Sequence, residues 1–255
     1  MKLKPAAMLF DMDGTLTDAR RPITEDVVDI LRSIPSGIKK YLVTGSDMKK
    51  VEEQIPQHIL SELFNKIYAC NGTVVYNCDL DMDDEHGSLE PELVHRVTLR
   101  DHYSDADINH IINVLLRTAA ETHTKIKTGT FVEWRDSQIN FSVVGRNCSI
   151  DQRENYMKWD KKSSERNRIV QELREEFKGW GLSFRLGGQI SIDVTREGWD
   201  KSYAFENMIE TPGQCIFFGD KICQDGNDLD IAMKCAHYHS IDSPADLILK
   251  LQEYK

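Results

Sequence analysis

Four separated stretches of the chain share one short grammar, in which three or four apolar residues run into a polar turn. They are Met8-Leu9-Phe10 before "DMDG", Tyr41-Leu42-Val43 before "TGSD", "KIYACNG", and "QCIFFGD". An apolar run of that length bounded by turn residues reads as a strand buried on both faces. Between the strands lie stretches with helical spacing. Thr24 stands as an N-cap before Val27, Val28, Ile30 and Leu31, and Val51 and Ile55 follow the second turn. Strands and helices in alternation, with the polar residues at the strand ends, predict a doubly wound parallel α/β sheet that binds ligands at that edge.

The grammar changes in the middle of the chain. "DLDMDDEHGSLEPE", Asp79 to Glu92, reads as a solvated acidic loop that also marks a hinge. Ser104 is placed to cap a long helix with Ile108, Ile111, Ile112, Leu115 and Leu116 on one face. "TFVEWRDSQINFSVVG" reads as a hairpin turning at Asp136-Ser137; a helix carrying Ile169, Val170, Leu173 and Phe177 and the strands "LSFRL" and "QISIDV" follow. These elements predict an inserted α+β cap, an antiparallel sheet plus helices, over 83–196. The α/β core is then split into 1–82 and 197–255, with "GWDKSYAFENM" starting a helix and "CAHYHSI" as the last strand.

With 255 residues and 40% apolar content, the chain has enough material for a real core. A formal charge of −10 argues against nucleic acid or an anionic membrane as partner. The apolar stretch near the N-terminus is interrupted too early for a signal peptide, and no run approaches a membrane span, so a cytoplasmic location is expected. The six cysteines form no C-x-x-C pair and read as free thiols.

The acids define the chemistry. Asp11 and Asp13 at the tip of the first strand, with Gly14 turning the loop, suit a hard cation, and Asp220 and Asp228 in "FFGDKICQDGND" bring further carboxylates to another strand end. Left alone these charges repel. A magnesium ion, the ammonium of Lys201 and the phosphate-binding hydroxyls of Thr44 and Ser46 together neutralise the acids and an incoming phosphate. D-x-D-G-T by itself is equally a strand end and its turn.

These motifs, "DMDGT", "VTGS", the lysine of "GWDK" and "GDKICQDGND", resemble those of the haloacid dehalogenase (HAD) superfamily of phosphotransferases. The resemblance implies that Asp11 is a nucleophile forming an aspartyl phosphate and that Asp13 is the general acid and base. It further implies that Lys201 steadies the nucleophile and that Asp11, Asp13 and Asp220 hold magnesium, supported by Asn227 and Asp228. Over nearly the whole chain, "TDARRPI", "GTFVEWRDSQINFSVVGRNCSIDQR" and "GGQISIDVTREGWDK" are similar to the eukaryotic-type phosphomannomutases. That likeness implies sugar-phosphate contacts at Arg20, Arg135, Arg146, Arg153, Ser191 and Asp193. Each of the cap arginines also has a plain reading as an exposed surface residue.

The same likeness implies interconversion of mannose 6-phosphate and mannose 1-phosphate for GDP-mannose synthesis, a hexose 1,6-bisphosphate as activator, and a homodimer joined through the cap. The chain differs from the family pattern at Thr44, where a glycine is usual, and at Asp18, Ile222 and Asp225; the acidic loop that supplies a second metal there has no counterpart here. Thr44 favours an alternative, a magnesium-dependent sugar-phosphate phosphatase. A silent sugar-phosphate-binding protein is a second alternative, opposed by the complete set of acids and lysine.

Overall fold

A computed structural model describes residues 5–79, 90–208, 210–224 and 226–255. Asp225 and residues 80–89 of the acidic stretch read as a hinge lie outside the described residues. The first five strands are β1 (Ala7–Phe10), β2 (Lys39–Val43), β3 (Lys66–Ala69), β4 (Val74–Asn77) and β5 (Glu92–Arg96). The next four, β6 (Val132–Arg135), β7 (Gln138–Ser142), β8 (Leu182–Gly187) and β9 (Ser191–Arg196), form a sheet of their own, and β10 (Cys215–Gly219) and β11 (His237–Ser240) return to the first. The helices are α1 (Glu25–Arg32), α2 (Met48–Glu52), α3 (Gln57–Leu63), α4 (Asp105–Glu121), α5 (Ile150–Ser163), α6 (Glu165–Glu176), α7 (Leu229–Lys234) and α8 (Pro244–Leu251).

The first sheet runs β11-β10-β1-β2-β3-β4-β5, parallel from β11 to β3 and antiparallel beyond. Its central strand β1 is buried throughout, because alternate residues feed two apolar layers. Met8 and Phe10 join Leu42, Ile67, Ile216 and Phe218 in a layer completed by α1, α3 and α8. Ala7 and Leu9 join Tyr41, Val43, Tyr68 and Phe217 in the other, closed by Ala204, Ile231 and Ala232. Phe10 and Phe218, partners in the β1–β10 register, stack with ring centroids 5.1 Å apart.

Two compact units emerge, 1–96 with 199–255 and 97–198 between them. The insertion expected from residue 83 thus begins at Val97, because β5 pairs with β4 as the edge of the first sheet. Its sequence "ELVHR" has the mixed polarity of an edge strand, and no strand was read from it in the sequence. The inserted unit holds a four-stranded antiparallel sheet, β6-β7-β9-β8, whose hairpin turns at Asp136-Ser137 as expected. Helix α4 starts on a capping box of Ser104 and Asp107 and buries Ile108, Ile111, Val114 and Leu115; Leu116, expected inside, is 47% exposed. A helix turns about 100° per residue, so a stripe centred on Ile111 and Leu115 carries Leu116 to the flank. The helix expected after "GWDK" is a 3₁₀ segment, Lys201–Asn207, begun by Asp200 accepting from the Ser202 amide at 2.9 Å. Among the described residues no helix is long and apolar enough to cross a membrane, and the six cysteines are free.

Phe218 is fully buried between Phe10 and His239. Phe218→Ala is expected to cost about 3–5 kcal/mol of stability, read as a lower urea midpoint at unchanged slope.

Candidate active site

The first acid is presented by a loop that the chain itself builds. The Asp11 amide donates to the Phe218 carbonyl at 2.9 Å, carrying the β1–β10 pairing one residue further. The strand then breaks, and the amides of Thr15, Leu16 and Thr17 all turn onto the Met12 carbonyl, at 3.2, 2.9 and 3.0 Å. Gly14 occupies the corner at φ +95°, and a Cβ there would lie 2.5 Å from Asp220 Oδ2. Glycine is therefore required twice over, for the left-handed backbone and for the approach of the second acidic segment.

Lys201, 1% exposed, lies at the centre of the cluster. Its Nζ donates to Asp11 Oδ1 and, at 2.6 Å, to Asp228 Oδ1. Asp228 is also buried, and its other oxygen accepts the Lys221 amide at 3.0 Å. Carboxylate oxygens of Asp11, Asp220 and Asp228 lie within 4.8 Å of one another, so three acids face a single buried ammonium. Burial pushes the Asp11 carboxyl up to about 7; Lys201 opposes the rise, and Asp228 and Asp220 reinforce it. Burial also raises Asp220, with Lys221 opposing and Asp228 adding repulsion. For Lys201 burial works to lower the value, but Asp11 and Asp228 outweigh it and the ammonium is held more tightly than usual.

This donor set fits a hard divalent cation. Asp220 Oδ1 is buried and, among the described residues, receives no hydrogen bond. An orphaned carboxylate oxygen beside surplus negative charge is costly unless a cation meets it. Among the described residues Asp11 Oδ2 accepts only from the Thr15 hydroxyl, at 3.5 Å. Asp11 and Asp220 are thus the acids with oxygens to spare for magnesium, whereas Asp228 is occupied in holding Lys201. Asn227 is exposed. The Asp13 carboxylate, expected among the metal acids, is not one of the converging three. It accepts instead from the Arg20 amide at 3.1 Å and the Lys50 ammonium at 3.2 Å. Burial would raise its pKa; Lys50, the Arg20 amide and Gln54 together bring it below the ordinary value.

Lys50 went unnoticed in the sequence. It lies on α2, four residues after Ser46, and its Nζ donates to Ser46 Oγ at 3.1 Å as well as to Asp13. An i,i+4 spacing from a motif hydroxyl was the available signal, masked because "MKK" looks like an ordinary charged helix face. Thr44 and Ser46 are buried, and the Ser46 amide donates to Thr44 Oγ1 at 3.1 Å. Arg20 has an exposed side chain; its backbone, at φ +64°, serves Asp13.

The inserted unit carries a second polar cluster. Glu133 accepts from Arg135 and forms an ion pair with Arg146, whose Nε lies 3.2 Å away. Arg146 Nη1 donates to Asn140 Oδ1 at 2.8 Å, and Asn140 Nδ2 donates to Asp193 Oδ1 at 2.6 Å. Ser191 is buried two residues before Asp193 on β9, and Arg153 sits half-buried in the first turn of α5. Of the six predicted sugar-phosphate residues, Arg135, Arg146 and Asp193 are thus joined in one network, through Glu133 and Asn140, which the sequence did not single out.

The profile of the eukaryotic phosphomannomutase family matches residues 27–254. The chain belongs to that family. It is 38% identical over 246 residues to "Phosphomannomutase" of Galdieria sulphuraria, covering 96% of this chain and 92% of that protein. It is 35% identical over 254 residues to "Phosphomannomutase 2" of Dictyostelium discoideum, covering 98% and 97%. A haloacid dehalogenase-like hydrolase from Bacteroides thetaiotaomicron shares the fold with a TM-score of 0.59 at 13% identity, covering 98% of this chain and 99% of that one. The HAD-like architecture therefore rests on both the sheet order and the likeness in structure.

Two outcomes follow for this phosphomannomutase-family site. Magnesium at a hundredfold its Kd should stabilise the wild type by ~2.7 kcal/mol in thermal melts. Asp220→Asn should lose most of that gain while melting higher without metal, since one crowded buried charge is gone. Lys50→Met should lower kcat/KM by about tenfold or more, the worth of a hydrogen bond to a charged group, in a steady-state assay.

Proposed function

We propose that the chain interconverts mannose 6-phosphate and mannose 1-phosphate through an aspartyl phosphate and a hexose 1,6-bisphosphate, supplying GDP-mannose synthesis. The observation that carries this reading is the buried contact of Asp11 with Lys201, a carboxylate held by an ammonium at the tip of the central strand. An oxygen of Asp11 attacks phosphorus of the bisphosphate, the bond from phosphorus to the sugar oxygen breaks, and Asp13 gives its proton to the departing oxygen. The monophosphate reorients. Its other hydroxyl then attacks the phosphoryl group on Asp11, passing its proton to Asp13, and the bisphosphate forms again with the opposite ends exchanged.

Lys201 balances the charge that gathers on Asp11, and Thr44, Ser46 and Lys50 offer donors to the phosphoryl oxygens. Asp11 and Asp220 would hold magnesium, which when bound supplies positive charge against those oxygens. In the inserted unit, read as the substrate-binding cap, Arg135, Arg146 and Arg153 grip the idle phosphate, and Ser191 and Asp193 meet sugar hydroxyls.

A phosphatase is the second reading, and Thr44 is the residue that favours it. Its oxygen accepts the Ser46 amide, a contact that supports a role in shaping the loop over one in activating water. Phosphorus NMR of mannose 1-phosphate with enzyme and magnesium separates the two. Mannose 6-phosphate should appear only with catalytic glucose 1,6-bisphosphate, and Asp11→Asn should slow its appearance more than about a thousandfold. Release of inorganic phosphate alone would establish the phosphatase instead.

A further inference from the structure

We infer that Glu133 and Asn140 are positioning residues for the substrate grip of the inserted unit, an inference that rests on the reading of that unit as the sugar-phosphate binder. Neither is an obvious ligand for a phosphate: one repels it and the other is neutral. Their importance lies in where they stand. The strand registers place Glu133 of β6 opposite Asn140 of β7, Asn140 opposite Asp193 of β9, and Asp193 opposite Arg185 of β8. Directly opposed residues share a face, so these four form one row across the whole sheet. Arg135 and Ser191 lie two residues from members of that row and share its face.

Along this row the contacts alternate in sign. Arg135 and Arg146 are only 22% and 28% exposed, and two guanidiniums brought side by side repel each other. Glu133 lies on both, cancelling that repulsion and fixing two long side chains that would otherwise lose considerable rotamer freedom when a phosphate arrives. Asn140 does the complementary task. It is 3% exposed, and its amide is used at both ends, the oxygen toward Arg146 and the nitrogen toward Asp193. Only a group that accepts on one side and donates on the other joins a cation to an anion in this way. Gly187 completes the fit: a Cβ there would lie 2.4 Å from Asp193 Oδ2, so the absence of a side chain on β8 leaves room for that carboxylate. The phosphate-holding arginines and the sugar-facing aspartate are therefore set by one continuous chain of hydrogen bonds and one ion pair before substrate binds.

The test is calorimetric titration of the full chain with mannose 6-phosphate and, separately, glucose 6-phosphate, without bisphosphate so that no turnover occurs. Glu133→Gln keeps the size but removes the charge, and affinity for both sugars should fall about tenfold, as for one lost hydrogen bond to a charged group. Glu133→Asp should recover part of it, which a general loss of folding would not do. Asn140→Asp sets two carboxylates against each other and should change the ratio of the mannose to the glucose affinity, because it disturbs Asp193. Should Glu133→Gln melt early, Asn140→Asp carries the test through that ratio. A wild type that binds neither sugar phosphate overturns the functional reading and this inference with it. Wild-type affinity in Glu133→Gln, or an unchanged ratio in a folded Asn140→Asp, overturns the inference alone.

Discussion

A buried lysine between two buried aspartates is the constraint around which the core is arranged. Lys201 cannot stay charged at 1% exposure without Asp11 and Asp228, and leaving either one unpaired in such a place costs about 3–5 kcal/mol. Satisfying it requires three distant segments to meet: the end of β1, the loop after β10, and the 3₁₀ segment after the insertion. The sheet order brings the first two together, since β1 and β10 are adjacent and parallel and end on the same edge. The third enters immediately after the chain returns from the inserted unit, so the insertion can vary without disturbing the acids. Lys221 reaches only the outer oxygen of Asp220, Oδ2 at 3.4 Å, so two lysines face three carboxylates. The excess negative charge lies beside the unsatisfied Oδ1 of Asp220, an arrangement that a hard cation would fit.

How much of this was legible in the sequence depends on the range of the signal. β1, β2 and β10 are continuous apolar runs with a polar stop, and such runs announce themselves locally. Asp11, Asp220 and Asp228 stand in motifs at or just after those stops, Lys201 stands in "GWDK" after the insertion, and the structure brings them together. β5 was missed because "ELVHR" is exposed at the sheet edge, where its role comes from pairing with β4 and not from burial. The 3₁₀ geometry at Lys201 was equally hidden: helix and 3₁₀ segment share the same capping grammar, and Asp200 serves either. The Asp13 carboxylate was grouped with the metal acids because a loop opening at Met12 and turning through Gly14 was read as pointing Asp11 and Asp13 the same way. The strand ends at Phe10, however, and the loop turns Asp13 toward Arg20 and Lys50.

The inserted unit shows the same division more sharply. Alternation in "QINFS" and "SIDV" locates strands and tells which side chains share a face. It does not tell which strands are neighbours, and the row from Glu133 to Arg185 exists only because β7 and β9 pair across a long intervening stretch. Residues that touch ligand can be recognised by their type, since arginines and aspartates advertise phosphate and hydroxyl recognition. Residues that hold them, such as Asn140, are of ordinary type and are recognised only by what they touch.

Thr44 illustrates how a side chain and the backbone can trade donors in such a loop. A glycine at this position would leave the Ser46 amide without a side-chain acceptor and free to donate elsewhere. Here the Thr44 oxygen takes that amide at 3.1 Å, the short-range side-chain turn that Thr and Ser favour. The loop gives up one backbone donor. The same hydroxyl brings a proton of its own, and the Lys50 ammonium beside Ser46 Oγ adds a charged donor to the same corner. The number of donors is therefore conserved while their source shifts from backbone to side chain. A phosphoryl group needs donors of the right direction and charge, whatever atoms supply them, so exchanging glycine for threonine is compatible with keeping the chemistry of Asp11, and its consequence falls on the shape of the loop.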